Sequence, residues 1–337
     1  MKSRLPILLG LTLAAVLAGA AAAHRQRLGQ AAQNLRPSPE IVPATRVAAV
    51  PSSHGATAEV PAAEVPTAAE LIAAAVDQMQ RHPSFAAKLR HRVDLLGHAM
   101  TGSGAYFQGP WGERRWRMEL KIQAGEDLTT WQQVSDGHSV WTFQQLLGNP
   151  KLYRVDLERV DAALAAAAAA NESVANYSPF DALALGGLPR LLSSIQESFE
   201  FADVRAARLG DEPVWIVRGR WTPEMLAALL PRQKDRLAAG EPFHLPGLAE
   251  HVPDEIELTL AQQELLPYRI EYLRTAAAIS DEEREAGLGE RTLVSLELFE
   301  IRLGGAIDPV QFTYNPRSQP VADGTTEFLR KLGLTPP

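Results

Sequence analysis

The sequence predicts an α+β fold in which a strongly curved antiparallel sheet of about ten strands is covered on its concave face by helices. In one run, Trp116, Met118, Leu120 and Ile122 alternate with charged residues, which is the period of a strand with one apolar and one solvated face. Asp136-Gly137 separates two aromatic-bearing runs. This dipeptide indicates a β-hairpin with a type I′ turn, in which both central residues have positive φ.

The predicted strands are separated by residues that favour turns, such as Gly97, Gly109-Pro110, Gly125 and Asp211-Glu212-Pro213. A short extended piece, Lys151 to Asp156, follows the first five strands. The predicted strands are Phe85 to Leu96, Met100 to Gln108, Arg114 to Ala124, Thr129 to Ser135, His138 to Leu146, Glu200 to Leu209, Val214 to Trp221, Asp254 to Gln263, Tyr268 to Ala277 and Arg291 to Leu303.

The helices are predicted from their caps and apolar spacing. Thr67 to Glu70 is a capping box that opens a helix, and His82-Pro83 ends it. Ser178-Pro179 begins another helix, which Gly186-Gly187 interrupts before it continues through Ile195. Further helices are predicted for Val160 to Ala170 with its six consecutive alanines, after Thr222-Pro223-Glu224, and for Thr326 to Leu332.

The N-terminal residues 1–23 have the layout of a Sec signal peptide: a basic start, an apolar run over Leu5 to Leu17, and small residues before His24. An uncleaved inner-membrane anchor is the alternative, because Leu5 to Ala23 would span about 28 Å as a helix. With either reading the rest of the chain is expected to be extracytoplasmic, in the periplasm.

Residues 24–66 are rich in alanine and proline, which is typical of a disordered linker. Residues 67–337 are then one β-rich domain. The chain has no cysteine, which excludes disulfides, thiolate metal sites and a cysteine nucleophile.

The sequence offers few groups for catalysis. A net charge of −7 argues against nucleic acid or an anionic membrane as the main partner. The eight histidines lack the spacing of a helical zinc site, and we expect them to be exposed or hydrogen-bonded. The acidic cluster between Ser280 and Glu290 does not fit a calcium loop, so a solvated hairpin tip is expected. We therefore predict no cofactor, no metal and no enzymatic activity.

The six tryptophans all lie in or beside predicted strands. Two interpretations remain open: they fill the core, or some line an apolar cavity between the curved sheet and its helices. Under the second, the predicted ligand-lining residues come from three strands and from the glycine-interrupted helix. They are Trp116, Met118, Leu120, Ile122, Trp131, Trp141, Phe143, Leu188, Leu191 and Leu192.

Five stretches in order along the chain are Gly102 to Gln108, Val134 to Trp141, Leu185 to Leu192, Leu266 to Tyr272 and Phe312 to Pro316. Together they resemble the LolA-like family of periplasmic lipoprotein carriers, in the divergent form labelled outer-membrane lipoprotein-sorting protein. The resemblance implies an unclosed antiparallel β-barrel whose hydrophobic cavity, plugged by helices, takes acyl chains of lipids or lipoproteins.

The expected function is therefore a non-catalytic carrier or binding module for lipid or lipoprotein acyl chains. The long linker departs from the short N-terminus of the soluble carrier, so a membrane-tethered module, with a membrane-protein partner, is as compatible as a shuttle. The alternative is an envelope protein-interaction or structural domain in which side chains fill the same core.

Overall fold

The computed structural model describes residues 66–95, 98–124, 127–146, 149–170, 179–233, 235–236, 241 and 244–334. The predicted signal or anchor, nearly all of the predicted linker, and the helix-starting Ser178 lie outside these residues. None of the helices in the described ranges is long and apolar enough to cross a membrane.

Within the described residues, twelve strands form one sheet, in the order β12-β6-β5-β4-β3-β2-β1-β11-β10-β9-β8-β7. Every neighbouring pair is antiparallel except β12 and β6, which are parallel. The strands are β1 (Phe85–Leu95), β2 (His98–Gln108), β3 (Arg115–Ala124), β4 (Asp127–Asp136), β5 (Ser139–Leu146), β6 (Asn149–Asp156), β7 (Phe199–Leu209), β8 (Glu212–Trp221), β9 (Glu255–Ala261), β10 (Pro267–Arg274), β11 (Arg291–Leu303) and β12 (Ala322–Asp323).

The part of the chain that the structure describes also has six assigned α-helices. They are α1 (Ala68–Arg81), α2 (Leu157–Ala169), α3 (Pro179–Ser198), α4 (Pro223–Leu229), α5 (Asp281–Glu285) and α6 (Thr325–Lys331). The predicted α+β fold with a curved, open sheet is confirmed. The described sheet has two more strands than predicted, since Lys151 to Asp156 belongs to a full strand, β6, and the two-residue β12 pairs beside it.

The two faces of the sheet differ in what covers them. One face, here called the inner face, carries Trp116, Met118, Leu120 and Ile122, all at most 2% exposed. Buried side chains of α1 and α3 belong to the same hydrophobic cluster as these four, so both helices cover the inner face. The opposite, outer face carries most of the charged strand residues, including the pair formed by Arg90 and Glu297.

The hairpin between β4 and β5 forms where it was predicted, but the type I′ turn is wrong. Gly137 has a φ of +95°, whereas Asp136 is not among the described residues with positive φ. Instead, Asp136 Oδ1 accepts hydrogen bonds from the N–H groups of His138 (2.9 Å) and Ser139 (2.7 Å). An aspartate side chain that bonds to amides two and three residues ahead replaces the usual hairpin turn.

Two predicted helix features are confirmed. The Thr67 capping box of α1 is formed on both sides, and His82 follows the helix with an extended conformation. In α3 the helical geometry breaks at Gly186 and Gly187, the latter with φ +67° and ψ −157°. Only glycine adopts this φ/ψ combination readily, so the two glycines explain the kink.

The acidic cluster is only in part the solvated hairpin tip that was expected: Asp281, Glu282 and Glu285 are exposed between the paired strands β10 and β11, but Glu283 is buried. Residues 281–285 form α5, whose capping box joins Ser280 and Glu283. Glu283 is only 5% exposed and pairs with Arg274 (2.7 Å) and Arg291 (3.0 Å). Burial alone would raise the pKa of Glu283, but hydrogen bonds from Arg274, the Ser280 N–H and Arg291 outweigh burial and lower the pKa to about 2.

His91 also differs from expectation, since it is neither exposed nor hydrogen-bonded. It lies on the inner face of β1, is 2% exposed, and neither ring nitrogen has a hydrogen-bond partner among the described residues. Its place depends on Gly102 across the strand pair, where a Cβ would lie 2.3 Å from the His91 Nε2. Burial without a partner lowers the pKa of His91 to about 4.

Candidate functional site

A buried hydrogen-bond chain holds the kink of α3 against the inner face. The Tyr106 hydroxyl accepts a bond from the Leu188 N–H (2.9 Å) and donates to Gln108 Oε1 (2.7 Å). Gln108 Nε2 in turn donates to the carbonyl of Met79 in α1 (3.2 Å). Because the kink frees the Leu188 N–H inside the core, this chain satisfies a donor that would otherwise be buried unpaired. Burial raises the pKa of Tyr106, which keeps the hydroxyl protonated.

Tyr106→Phe is expected to lower the free energy of unfolding by about 1–3 kcal/mol, because it leaves the Leu188 N–H and Gln108 Oε1 unpaired in the core. Denaturant unfolding measures the loss, and amide exchange at Leu188 should accelerate. Tyr268→Phe is the control, since its half-buried hydroxyl makes no bond within the described residues; we expect about 0.5 kcal/mol or less there. An equal loss in both variants would contradict the anchoring role of Tyr106.

Under the kinked helix the inner face is filled. Trp116, Met118, Leu120 and Ile122 share one hydrophobic cluster with Leu188, Leu191 and Leu192 of α3, each at most 3% exposed. At Gly187 the backbone approaches so closely that a Cβ would lie 2.3 Å from the Tyr106 hydroxyl and 3.3 Å from the Trp116 ring. These seven predicted lining residues therefore pack within one buried cluster and do not line the open pocket described next.

An open pocket lies beside this filled region, with a volume of about 350 Å³. Its floor is the inner face of β4, β5 and β6, and its walls are α3 on one side and β12 with α6 on the other. The apolar lining residues are Trp131, Val140, Val155, Ala184 and Phe328. Trp131 is the predicted lining residue that the structure places at this pocket.

The same pocket has a polar row across its floor. Gln133, Thr142 and Tyr153 are direct cross-strand neighbours on β4, β5 and β6, and all three line the pocket, as does Gln144. A polar row on the inward face of a sheet is informative, because residues that face a protein core are mostly apolar. The pocket is therefore amphipathic rather than purely hydrophobic.

One atom of the polar row is buried without a partner. Gln133 is 8% exposed; its Nε2 donates to Thr142 Oγ1 (3.0 Å), but its Oε1 accepts no hydrogen bond from any described residue. An unpaired buried carbonyl oxygen costs about 1–3 kcal/mol. A residue that lines the pocket thus carries a buried acceptor without a partner.

An ion pair connects the two helices that wall the pocket. Asp181 of α3 and Lys331 of α6 lie 3.7 Å apart, with side chains that are 13% and 19% exposed. Both residues line the pocket. A ligand that entered between α3 and α6 would pass this pair.

Trp141 and Phe143 do not lie with the other predicted lining residues. The register pairs Trp141 with Val134 and Phe143 with Gln132, which places both side chains on the outer face. Trp141 stacks on Tyr314 with ring centroids 5.7 Å apart, and its Nε1 donates to Asp136 Oδ2 (3.3 Å). The structure thus places Trp141 and Phe143 on the face of the sheet opposite to Trp131.

The polar pocket residues were missed because the alternation in β5 is ambiguous. Val140, Thr142 and Gln144 face inward, while Trp141 and Phe143 face outward, so the larger apolar residues point away from the core. The neighbouring strand β4 carried a usable signal: its alternation places Trp131 and Gln133 inward. The residues of β5 that pair with them, Gln144 and Thr142, then face inward as well. No group of three or more potential metal ligands is found among the described side chains.

No family model and no curated protein matches the chain. Its fold is similar to that of solved structures at low identity. The Pseudomonas aeruginosa MucA/MucB complex shares 10% identity over 73% of this chain, with a TM-score of 0.35, and the chain covers only 60% of the matched protein. A LolA superfamily protein from Nitrosomonas europaea shares 12% identity over 74% of this chain and 99% of that one (TM-score 0.29). The Mycobacterium tuberculosis lipoprotein LppX shares 10% over 71% and 96% (TM-score 0.30).

Proposed function

We propose that this protein is an extracytoplasmic, non-catalytic binding module that holds an acyl chain of a lipid or lipoprotein in the pocket between β4–β6, α3 and α6. The observation that carries the proposal is the pocket itself, with Trp131 and Phe328 on apolar walls that face a volume of about 350 Å³. This volume is at the lower end of the range for small-molecule sites, about 300–1,000 Å³. One chain segment, rather than a bulky multi-chain lipid, suits that size.

Burial of an acyl chain in such a pocket gains about 0.8 kcal/mol per CH₂ group. Release then requires that α3 and α6 move apart, because both helices contribute to the walls of the pocket. The Asp181–Lys331 pair at 3.7 Å is the contact that would open when α3 and α6 move apart. The pocket and this ion pair support a carrier or sensor that binds the acyl chain by apolar burial and releases it when the helices move apart.

The extracytoplasmic location and the membrane link belong to the same proposal. They are supported by residues 1–23, whose sequence has a basic start and an apolar run, and by the alanine- and proline-rich residues that follow. A membrane-tethered module would find its acyl chain at the membrane surface, where lipids and lipoproteins are anchored.

The test is quenching of tryptophan fluorescence by a fatty acid brominated at mid-chain, added to the full-length protein. We expect emission to fall as the bromine reaches Trp131, and most of the quenching to be lost in Trp131→Phe. Trp215→Phe is the matched control, because Trp215 is half-buried on β8 and is not one of the pocket residues. Emission that stays unchanged at saturating fatty acid, in wild type, would refute the proposal.

A second candidate is a protein-interaction or structural domain of the envelope. The filled inner face favours it, because Trp116, Met118 and Leu188 are at most 1% exposed and pack in one hydrophobic cluster beneath the kink of α3. This function predicts a defined protein partner that crosslinks to the domain, together with tryptophan emission that does not respond to the brominated fatty acid.

A further inference from the structure

The orphan acceptor of the pocket points to a particular kind of acyl chain. We propose that the pocket recognises an acyl chain that carries a hydroxyl group, which pairs with Gln133 and Thr142. This inference rests on the proposed acyl-chain function and adds the ligand's chemical class to it.

The acceptor is the side-chain oxygen of Gln133. The Gln133 side chain lines the pocket, and its buried Oε1 has no donor among the described residues. An unsubstituted acyl chain in the pocket would leave this buried oxygen without a partner, which is unfavourable. A ligand with an O–H or N–H donor at this position would satisfy it.

The Thr142 hydroxyl beside Gln133 is a potential donor. Thr142 Oγ1 accepts from Gln133 Nε2 at 3.0 Å, and a hydroxyl that accepts one bond still has its own hydrogen to donate. That hydrogen has no acceptor in the described part of the chain. The pocket thus presents one free acceptor and one free donor on directly paired residues of β4 and β5.

A ligand that pairs with both Gln133 and Thr142 needs a donor and an acceptor. A hydroxyl group both donates and accepts, whereas an ester carbonyl only accepts and an N–H only donates. Trp131, two residues before Gln133 on the same face of β4, lies against the apolar part of the pocket. An acyl chain with one hydroxyl would therefore place its methylene groups against Trp131 and its hydroxyl against Gln133 and Thr142.

The test compares tetradecanoic acid with its 2-hydroxy and 3-hydroxy derivatives, each titrated into the full-length protein below its micelle concentration. Competition with the brominated fatty acid gives the dissociation constants. We expect one hydroxylated acid to bind about tenfold more tightly than the unsubstituted acid, as one satisfied buried hydrogen bond allows. The 2-hydroxy and 3-hydroxy arms locate the hydroxyl along the chain.

In Gln133→Leu the preference for the hydroxylated acid should disappear, while the unsubstituted acid binds at least as tightly as to wild type. Thr142→Val should reduce the preference without abolishing it, and it serves in place of Gln133→Leu if that variant does not fold. Gln132→Leu is the matched control, because Gln132 is the adjacent glutamine of β4 on the outer face; its preference should equal that of wild type.

The outcomes separate the two proposals. Equal affinity of wild type for hydroxylated and unsubstituted acids would overturn the hydroxyl inference and leave the acyl-chain function in place; bound water would then be what satisfies Gln133. A preference that survives in Gln133→Leu would overturn it as well. If none of the acids competes because none binds, the proposed function itself fails.

Discussion

Replacement of Arg274 by methionine is expected to lower the free energy of unfolding by about 3–5 kcal/mol, the loss typical when one partner of a buried ion pair is removed. The Arg274 side chain is fully buried, and its guanidinium donates to both Glu283 oxygens (3.2 and 2.7 Å). It also donates to the carbonyls of Val252 (3.0 Å) and Leu248 (3.1 Å). Methionine fills much of the volume but leaves a charge and two carbonyls without these bonds.

Chemical denaturation monitored by circular dichroism measures the loss. Lys88→Met is the matched control: Lys88 of β1 also forms an ion pair, with Glu300 of the neighbouring β11, but both side chains are about 60% exposed (58% and 60%). Exposed pairs contribute about 0–1 kcal/mol, so the control should unfold nearly as wild type does. A loss in Arg274→Met no larger than in Lys88→Met would show that the buried cluster is not the anchor of α5.

Stability should also fall as the pH is lowered from neutral towards 4, and His91 is the reason. The pKa of His91 is about 4 in the folded protein, against about 6.5 in the unfolded chain. Well above pH 6.5 the ring is neutral in both states, so protonation of His91 does not change the free energy of unfolding there. Below pH 6.5 His91 binds a proton more readily in the unfolded chain than in the folded protein. Linkage therefore predicts that the free energy of unfolding falls by about 2 kcal/mol at pH 5 and about 3 kcal/mol at pH 4.

His91→Leu isolates this contribution, because leucine removes the two unpaired nitrogens and cannot titrate. The difference in unfolding free energy between wild type and His91→Leu should be constant above pH 7 and should grow as the pH falls through 6 and 5. Glu283, whose pKa is about 2, contributes mainly below its unfolded value of about 4.3, so the window from pH 7 to 5 reports on His91. Parallel curves for the two proteins across that window would show that His91 takes up its proton in the folded state.

Local sequence patterns predicted most elements of this fold, although β12 and α5 were not predicted. Alternation located Trp116, Met118, Leu120 and Ile122 on one face of β3, since a strand's side chains switch faces at every residue. Caps and glycines located both ends of α1 and the kink of α3, because Thr67 and Gly187 act through their own backbone neighbours. These signals are local, so each can be recognised within the sequence of a single strand or helix.

The pocket could not be predicted, because its composition depends on which residues meet across strands. In β5 the apolar residues Trp141 and Phe143 appeared to be inward, yet the register with β4 places them outward and brings Gln133, Thr142 and Tyr153 together. The burial of Glu283 likewise depends on Arg274, a neighbour only in three dimensions. Strand register, and the burial of charge that follows from it, is a property of the assembled sheet. Most strands can therefore be predicted from their own residues, whereas the set of side chains that line a pocket cannot.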